Sequence, residues 1–326
     1  MDTELKSWKS FDEQLALLES LSLLVGNRAK ALDYLQRIGY YRLSGYWYPF
    51  RQFAADSTPE HPKRSHVFFS GNRFEDVVNL YVFDKKLRLL ALDALERIEM
   101  AVRVDIAHLL GEKCPNAHEK PEYLHKNFTR KQGNNPSRYE KWFSKHQDLI
   151  KRSEKQPFIK HHQEKYGGSL PIWVACEIWD FGTMSKLFSG MQHLDQIRIA
   201  KKYGLTEVKH LKKWLESLNS IRNIAAHHGR LWNTEISPPV NFSENFPEDA
   251  QWRSLGEKQN HCFPYFCMMQ KMLNIICPNS AWGSRLVTLI KDEFPKVANN
   301  TIGLKDMGIP DNLLDHWSCM FTSNTP

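Results

Sequence analysis

Leu211-Lys212-Lys213-Trp214-Leu215-Glu216-Ser217-Leu218-Asn219-Ser220-Ile221-Arg222-Asn223-Ile224-Ala225-Ala226-His227-His228-Gly229 reads as one amphipathic helix with an abrupt stop. Leu211, Trp214, Leu215, Leu218, Ile221 and Ala225 recur at steps of three and four, which gathers them into one apolar stripe. Gly229 is expected at the first position beyond the cap, where glycine is favoured. At about 100° per residue, Arg222 falls about 20° from Leu211, inside the stripe. A guanidinium on a buried face needs an anionic partner, because an unpaired buried charge is very costly. An internal carboxylate (Glu96, Glu99 or Glu177) or a substrate phosphate would serve. Asn223 and His227 are four apart and project from one side of the helix. By the same count Arg222 and His227 diverge by about 140°, too far to close on one phosphate in a straight helix. Either the last turn is distorted, or a second copy of the motif completes a site. His227 and His228 are expected in the last turn, where the helix dipole favours a protonated imidazole.

The rest of the chain is read outward from this helix. Upstream, Phe74 to about Leu110 is the longest periodic stretch. Its spacing drifts around Leu87 to Leu90, and then Ala91, Leu95, Ile98, Val102, Ile106 and Leu109 form one face. Glu99 and Arg103 stand in the favoured order for a helical ion pair. Ser10 with Glu13 has the form of a capping box before Leu15, Leu18 and Leu21. Gly26-Asn27 separates this first helix from a second that ends near Ile38. Residues 52–73 read as a surface loop, residues 111–168 as a polar section with a turn at Gly133-Asn134-Asn135-Pro136, and Leu170 to Phe188 as one short buried helix. A helix is expected over His193 to Tyr203 and another over Tyr265 to Ile276. Strand-like alternation is scarce, so an all-α bundle is the fold with the fewest conflicts. The domain organisation expected is 1–235 as the main helical domain with an N-terminal elaboration, and 236–326 as a helical extension packed on it.

The residue types at the end of the key helix suit one chemistry. A basic residue, an amide and an imidazole can cleave RNA without a metal, because the ribose 2′-hydroxyl is an internal nucleophile. His227 can take its proton or protonate the leaving oxygen. Arg222 can neutralise the charge that builds on phosphorus, and Asn223 can orient the imidazole or the phosphate. DNA lacks the 2′-hydroxyl and should be spared. A second candidate feature is Gly39-Tyr40-Tyr41-Arg42-Leu43-Ser44-Gly45-Tyr46-Trp47-Tyr48-Pro49-Phe50-Arg51, dense in aromatics and arginines. Tyr40, Tyr41, Arg42, Tyr46 and Arg51, together with Arg230, are candidates for RNA contact by stacking and charge. An aromatic packing corner between helices explains the same residues.

The pattern Arg222-x4-His227 with Asn223 after the arginine resembles the signature of the HEPN ribonucleases. The wider run Arg222-Asn223-x-x-Ala226-His227-His228-x-Arg230-Leu231-Trp232-Asn233 resembles the Abi-like (AbiD/AbiF) abortive-infection family. Further blocks agree: Tyr34-Leu35 with Ile38 to Tyr46, Tyr81-x-Phe83-Asp84-x-x-Leu87-Arg88, Glu99 with Arg103, and Leu170-Pro171-x-Trp173 with Glu177 and Phe181-Gly182. The resemblance runs over about residues 12–235. It implies a HEPN-type helical bundle, a phage-defence role, and an endoribonuclease toxin with Arg222, Asn223 and His227 as its catalytic residues. His228, Glu99 and Arg103 are possible supporting residues. It also implies a homodimer, since one good motif per chain would need a twin, and a small non-coding RNA antitoxin as partner. A non-catalytic module that binds a small regulatory RNA is the alternative. Arg103 and His108 also fit the two-residue pattern, but without the asparagine and within a long helix.

Composition sets the outer bounds. The chain has 326 residues, 41% of them apolar, which suits a substantial core. Its formal charge of +7 attracts polyanions. No segment is apolar enough to span a bilayer, and Met1 to Gln14 lacks the form of a signal peptide, so a cytoplasmic location is expected. The six cysteines show no C-x-x-C spacing. No metal and no cofactor are expected: adjacent His227-His228 and His161-His162 point about 100° apart on a helix and lack further ligands at metal spacing. Hydrolase elbows, P-loops and dinucleotide fingerprints are missing from the sequence.

Overall fold

In the computed structural model the described residues are 7–58, 60–131, 133–167, 169–245, 250–255 and 260–321. In chain order the helices are α1 (Phe11–Ser20), α2 (Arg28–Ile38), α3 (Tyr40–Trp47), α4 (Phe74–Lys113), one-turn α5 (Lys126–Thr129), α6 (Arg138–Ser153), α7 (Pro157–Tyr166) and one-turn α8 (Ile172–Ala175). There follow α9 (Phe181–Gly190), α10 (His193–Lys202), α11 (Val208–Ala226), α12 (Phe242–Asn245), α13 (Ala250–Ser254), α14 (Cys262–Ile276) and α15 (Trp282–Glu293). The fold class is all-α, as the periodicity predicts. Strands β1 (Arg51–Phe53) and β2 (Arg64–Phe68) pair antiparallel, Arg51 opposite Phe68 and Phe53 opposite Arg64. This hairpin corrects the expectation of a plain surface loop over 52–73. Its strands are short and mostly outward-facing, so they leave little alternation to read.

Local signals account for the first elements. Ser10 Oγ accepts from the Glu13 N–H at 3.3 Å, and Glu13 Oε2 accepts from the Ser10 N–H at 2.7 Å, closing the expected capping box. Asn27 caps α2 by accepting from the Lys30 N–H. Gly39, at φ 91°, occupies the left-handed region and lets α3 begin directly after α2. The corner packs its aromatics inward: Tyr46, Trp47 and Phe50 are buried, and Tyr40 stands edge-on to Trp47 with ring centres 4.8 Å apart.

The 40 residues of α4 form a rod about 60 Å long on which most of the bundle is assembled. Helices α3, α8, α9, α11, α14 and α15 all pack against it. Burial on several sides explains the drift in its apolar spacing, because a helix covered from different directions does not carry one stripe. C-terminal α14 and α15 lie on α4 as part of the same core, with the Trp282 indole N–H donating to the Leu90 carbonyl at 2.8 Å. The single helix expected over Leu170 to Phe188 is two helices. Trp179 adopts an extended backbone between them, and Asp180 caps α9 by accepting from the Thr183 N–H at 2.7 Å.

One buried carboxylate ties three elements together. Asp84, about three turns into α4 and fully buried, accepts from Tyr46 Oη of α3 at 2.7 Å and pairs with Arg88 one turn on. Its two oxygens also accept the backbone N–H groups of Leu231 at 3.1 Å and Trp232 at 2.8 Å, just past the end of α11. Burial pushes the Asp84 pKa up, and Arg88, Tyr46 and these N–H groups pull the other way. Asp84→Ala should leave Arg88 buried without its partner and orphan two backbone donors. It is expected to cost about 3–5 kcal/mol in urea unfolding. An unchanged midpoint would show that the carboxylate does not hold the corner.

Candidate functional site

Helix α11 buries Leu211, Trp214, Leu215, Leu218, Ile221 and Ala225, the stripe read from the sequence. Its end differs from expectation in register. His227 is the cap residue, His228 is the first residue beyond it, and Gly229 follows. The His228 N–H donates to the Ala225 carbonyl at 3.2 Å and the Gly229 N–H to the Ile224 carbonyl at 2.7 Å, the paired bonds of a Schellman stop. The left-handed residue of that stop is His228, at φ 59°. Gly229 is needed for a different reason. A Cβ there would lie 3.1 Å from both Cγ2 and the carbonyl oxygen of Ile224. A histidine held in the left-handed region is a strained choice, and such choices cluster at functional positions.

The three motif residues fall in the last turn and cap of α11. Asn223 and His227 are exposed. Arg222 is half-buried, and its Nη1 donates to Asn223 Oδ1 at 3.4 Å. Of the two partners weighed for Arg222, an internal carboxylate and a substrate phosphate, the first does not form an ion pair: among the described residues no carboxylate comes within ion-pair distance of this half-buried side chain. Glu99, one of the three carboxylates considered, interacts with Arg222 electrostatically but is tied to Arg103 on its own helix. Arg103 also donates to the Trp179 carbonyl, which fastens α4 to the segment before α9. Burial raises the Glu99 pKa, and Arg103 and then Arg222 oppose that rise. The second pattern does not form a site: Arg103 is buried in this tie, whereas His108 is exposed on a helix that continues unbroken to Lys113.

Helix α3 flanks the motif. Arg42 Nη1 donates to the His228 carbonyl at 2.6 Å, and Arg230 donates to the Gly45 carbonyl. Tyr41, beside Arg42, is 91% exposed and offers a face to solvent. Tyr46 is buried on Asp84, which corrects the expectation that it contacts RNA, because its ring fills the corner between α3 and α4. Tyr40 is half-buried edge-on to Trp47, and half-buried Arg51 lies over Phe68. The residue that sequence reasoning missed is Asp84. Its signal was present as Phe83-Asp84-x-x-Leu87-Arg88: an acid and a base one turn apart amid apolar neighbours must be a buried pair or a site.

A second cluster of polar groups stands apart from the motif. His118, Glu119 and His146 bring three potential metal-ligand atoms within 4.8 Å of one another. The Trp179 indole N–H donates to His146 Nδ1 at 3.1 Å. That bond places the imidazole proton on Nε2, 3.4 Å from Glu119 Oε1, so the ring presents a donor there and no lone pair for a cation. His118 is fully buried among Trp142, His146 and Trp179. Burial, then His146, lowers its pKa to about 3. Among the described residues no helix is long and apolar enough to cross a membrane.

The family model described as Abi-like protein matches residues 33–233, a span that contains Tyr46, Asp84, Arg222, Asn223, His227 and Trp232. No curated protein and no solved structure matches the chain.

Two measurements check this geometry. His228→Gly should relieve the left-handed histidine and stabilise the fold by about 1 kcal/mol, read as a higher urea midpoint. A lower midpoint would contradict the strain. His118 is neutral when folded and protonatable when unfolded, so its contribution is intact above about pH 6.5 and erodes as pH falls toward 3. The loss should reach about 1.4 kcal/mol per pH unit in that window. His118→Phe should flatten that part of the stability–pH curve.

Proposed function

We propose that this chain, which belongs to the Abi-like protein family and through it to abortive-infection phage defence, is a metal-independent endoribonuclease built on a HEPN-type bundle. The observation that supports this best is that Arg222, Asn223 and His227 share one exposed helix end, while the residues that hold that end are buried. In the proposed reaction the 2′-hydroxyl oxygen attacks the adjacent phosphorus, forming the O2′–P bond and breaking the P–O5′ bond. The products are a 2′,3′-cyclic phosphate and a 5′-hydroxyl. An imidazole accepts the 2′-hydroxyl proton or returns one to the departing 5′ oxygen. Arg222 meets the charge on the pentacoordinate phosphorus, and Asn223, already bonded to the guanidinium, fixes its orientation.

Two copies of the motif complete the site in this proposal. Arg222 and His227 diverge by about 140° around α11, so one helix end supplies the guanidinium to a phosphate more readily than both groups. A homodimer that sets two such ends face to face gives each phosphate an imidazole and a guanidinium. Tyr41 and Arg42 flank the ends, where a base can stack and a phosphate can pair. A small antitoxin RNA would occupy the same exposed face and occlude it.

His227→Ala is expected to lower cleavage of single-stranded RNA by about 10²–10⁴-fold while RNA affinity stays within about twofold. Cleavage by the unaltered protein should persist with chelator present. A His227→Ala protein that still cuts would refute the assignment, and an unaltered protein that binds RNA without ever cutting it favours the non-catalytic module. Arg222→Ala should lose cleavage with less than about 0.5 kcal/mol of stability, since no buried partner is left behind.

A further inference from the structure

A groove of about 360 Å³ opens between α6, α9 and α11, on the face that leads to the motif. Arg138, Lys141 and Lys145 of α6 fall at intervals of three and four, on one side of the helix and spread over about 10 Å. Lys186 of α9 faces them. Lys145 is held by Asp180 at 2.6 Å. Arg138, Lys141 and Lys186 are exposed, and among the described residues none has a carboxylate within ion-pair distance. Glu216 is the one acid of the lining. The walls carry Ser185, Ser189 and Asn219, and the floor is aromatic, with Trp142 and Phe128 buried. Burial and the nearby Arg138 hold the Lys212 ammonium below its ordinary value, a further sign of crowded positive charge at this edge.

The groove is aimed. Its α11 wall ends at Asn219, which packs against Gly182 of α9. Asn223 is one turn, about 6 Å of rise, beyond Asn219, and Arg222 lies between them. Lysine and arginine left without acids, hydroxyl and amide donors between them and an aromatic floor form the combination that follows the backbone of a single strand. The basic run from Lys126 to Lys155 looks like an ordinary solvated face in sequence. In space it divides, because only its α6 portion meets Lys186 and α11 around a cavity.

We infer that this groove seats the phosphate backbone of single-stranded RNA on its way to the end of α11, and so positions the strand for cleavage. The inference rests on the ribonuclease proposal for what happens at the motif, but its test does not depend on cleavage. Binding of a fluorescein-labelled single-stranded RNA to the full chain carrying His227→Ala is measured by anisotropy across a salt series. Adding Lys141→Gln and Lys186→Gln should weaken binding about tenfold at 0.1 M salt and make the log–log salt slope shallower by about 1.4. The charge-matched pair Lys160→Gln and Lys165→Gln, on exposed α7, should leave both nearly unchanged. Far-UV melting confirms that each variant folds. If the two pairs weaken binding equally, or the groove pair leaves the slope unchanged, the groove inference is overturned, while loss of cleavage in His227→Ala would still uphold the nuclease. If the unaltered protein never cuts yet the groove pair alone weakens binding, the groove stands and the nuclease falls.

Discussion

A carboxylate in the first third of the longest helix holds the end of another. Asp84 has no solvent to share its charge with, so every lone pair must be met by protein. Arg88, Tyr46 and the backbone of Leu231 and Trp232 meet them. Because two of those donors are backbone groups directly after the α11 stop, the chain cannot leave the helix in another direction without stranding a buried charge. The neighbouring contacts repeat the same clamp at lower stakes: Arg42 takes the His228 carbonyl and Arg230 the Gly45 carbonyl. Asn223 and His227 stand in solvent, with Arg222 half-buried beside them, on a backbone that is fixed from behind, which is the arrangement a site needs if its geometry is to be set before the ligand arrives.

The same clamp explains how a histidine comes to occupy the left-handed position of the helix stop. That conformation costs an ordinary residue about 1 kcal/mol or more, and glycine would avoid it. A stop fixed by Asp84 on one side and Arg42 on the other can hold His228 there regardless. The chain therefore places two imidazoles and a guanidinium within one and a half turns, at some expense in stability.

Much of this was legible in the residues. The stripe of α11, the capping box at Ser10 and the length of α4 all follow from periodicity and caps. That Arg222 is only half-buried was not legible, because an angle around a helix does not say how far another element covers the last turn. Nor could the order His227, His228, Gly229 say which residue would be left-handed. Glycine is the ordinary choice, and only the tight approach to Ile224 moves it one place on. The aromatic segment from Tyr40 to Phe50 carried two readings, and packing chose between them residue by residue, with Tyr46 inside and Tyr41 outside. The hairpin of β1 and β2 left almost no trace, and the break at Trp179 between α8 and α9 could not be seen in an apolar run.

The matched span closes at Asn233, yet α4 is not finished there. Trp282 reaches the Leu90 carbonyl, Lys86 pairs with Glu293, and Arg97 donates to Ser280 at 2.8 Å, all from residues synthesised after the motif. On a ribosome, the corner around Asp84 can close as soon as residue 232 emerges. One flank of the rod stays bare until α14 and α15 have followed. The nascent protein thus passes through an interval in which the corner around Asp84 is assembled but its core is still open. How fast translation carries the chain through that interval becomes part of how much of the protein a cell keeps.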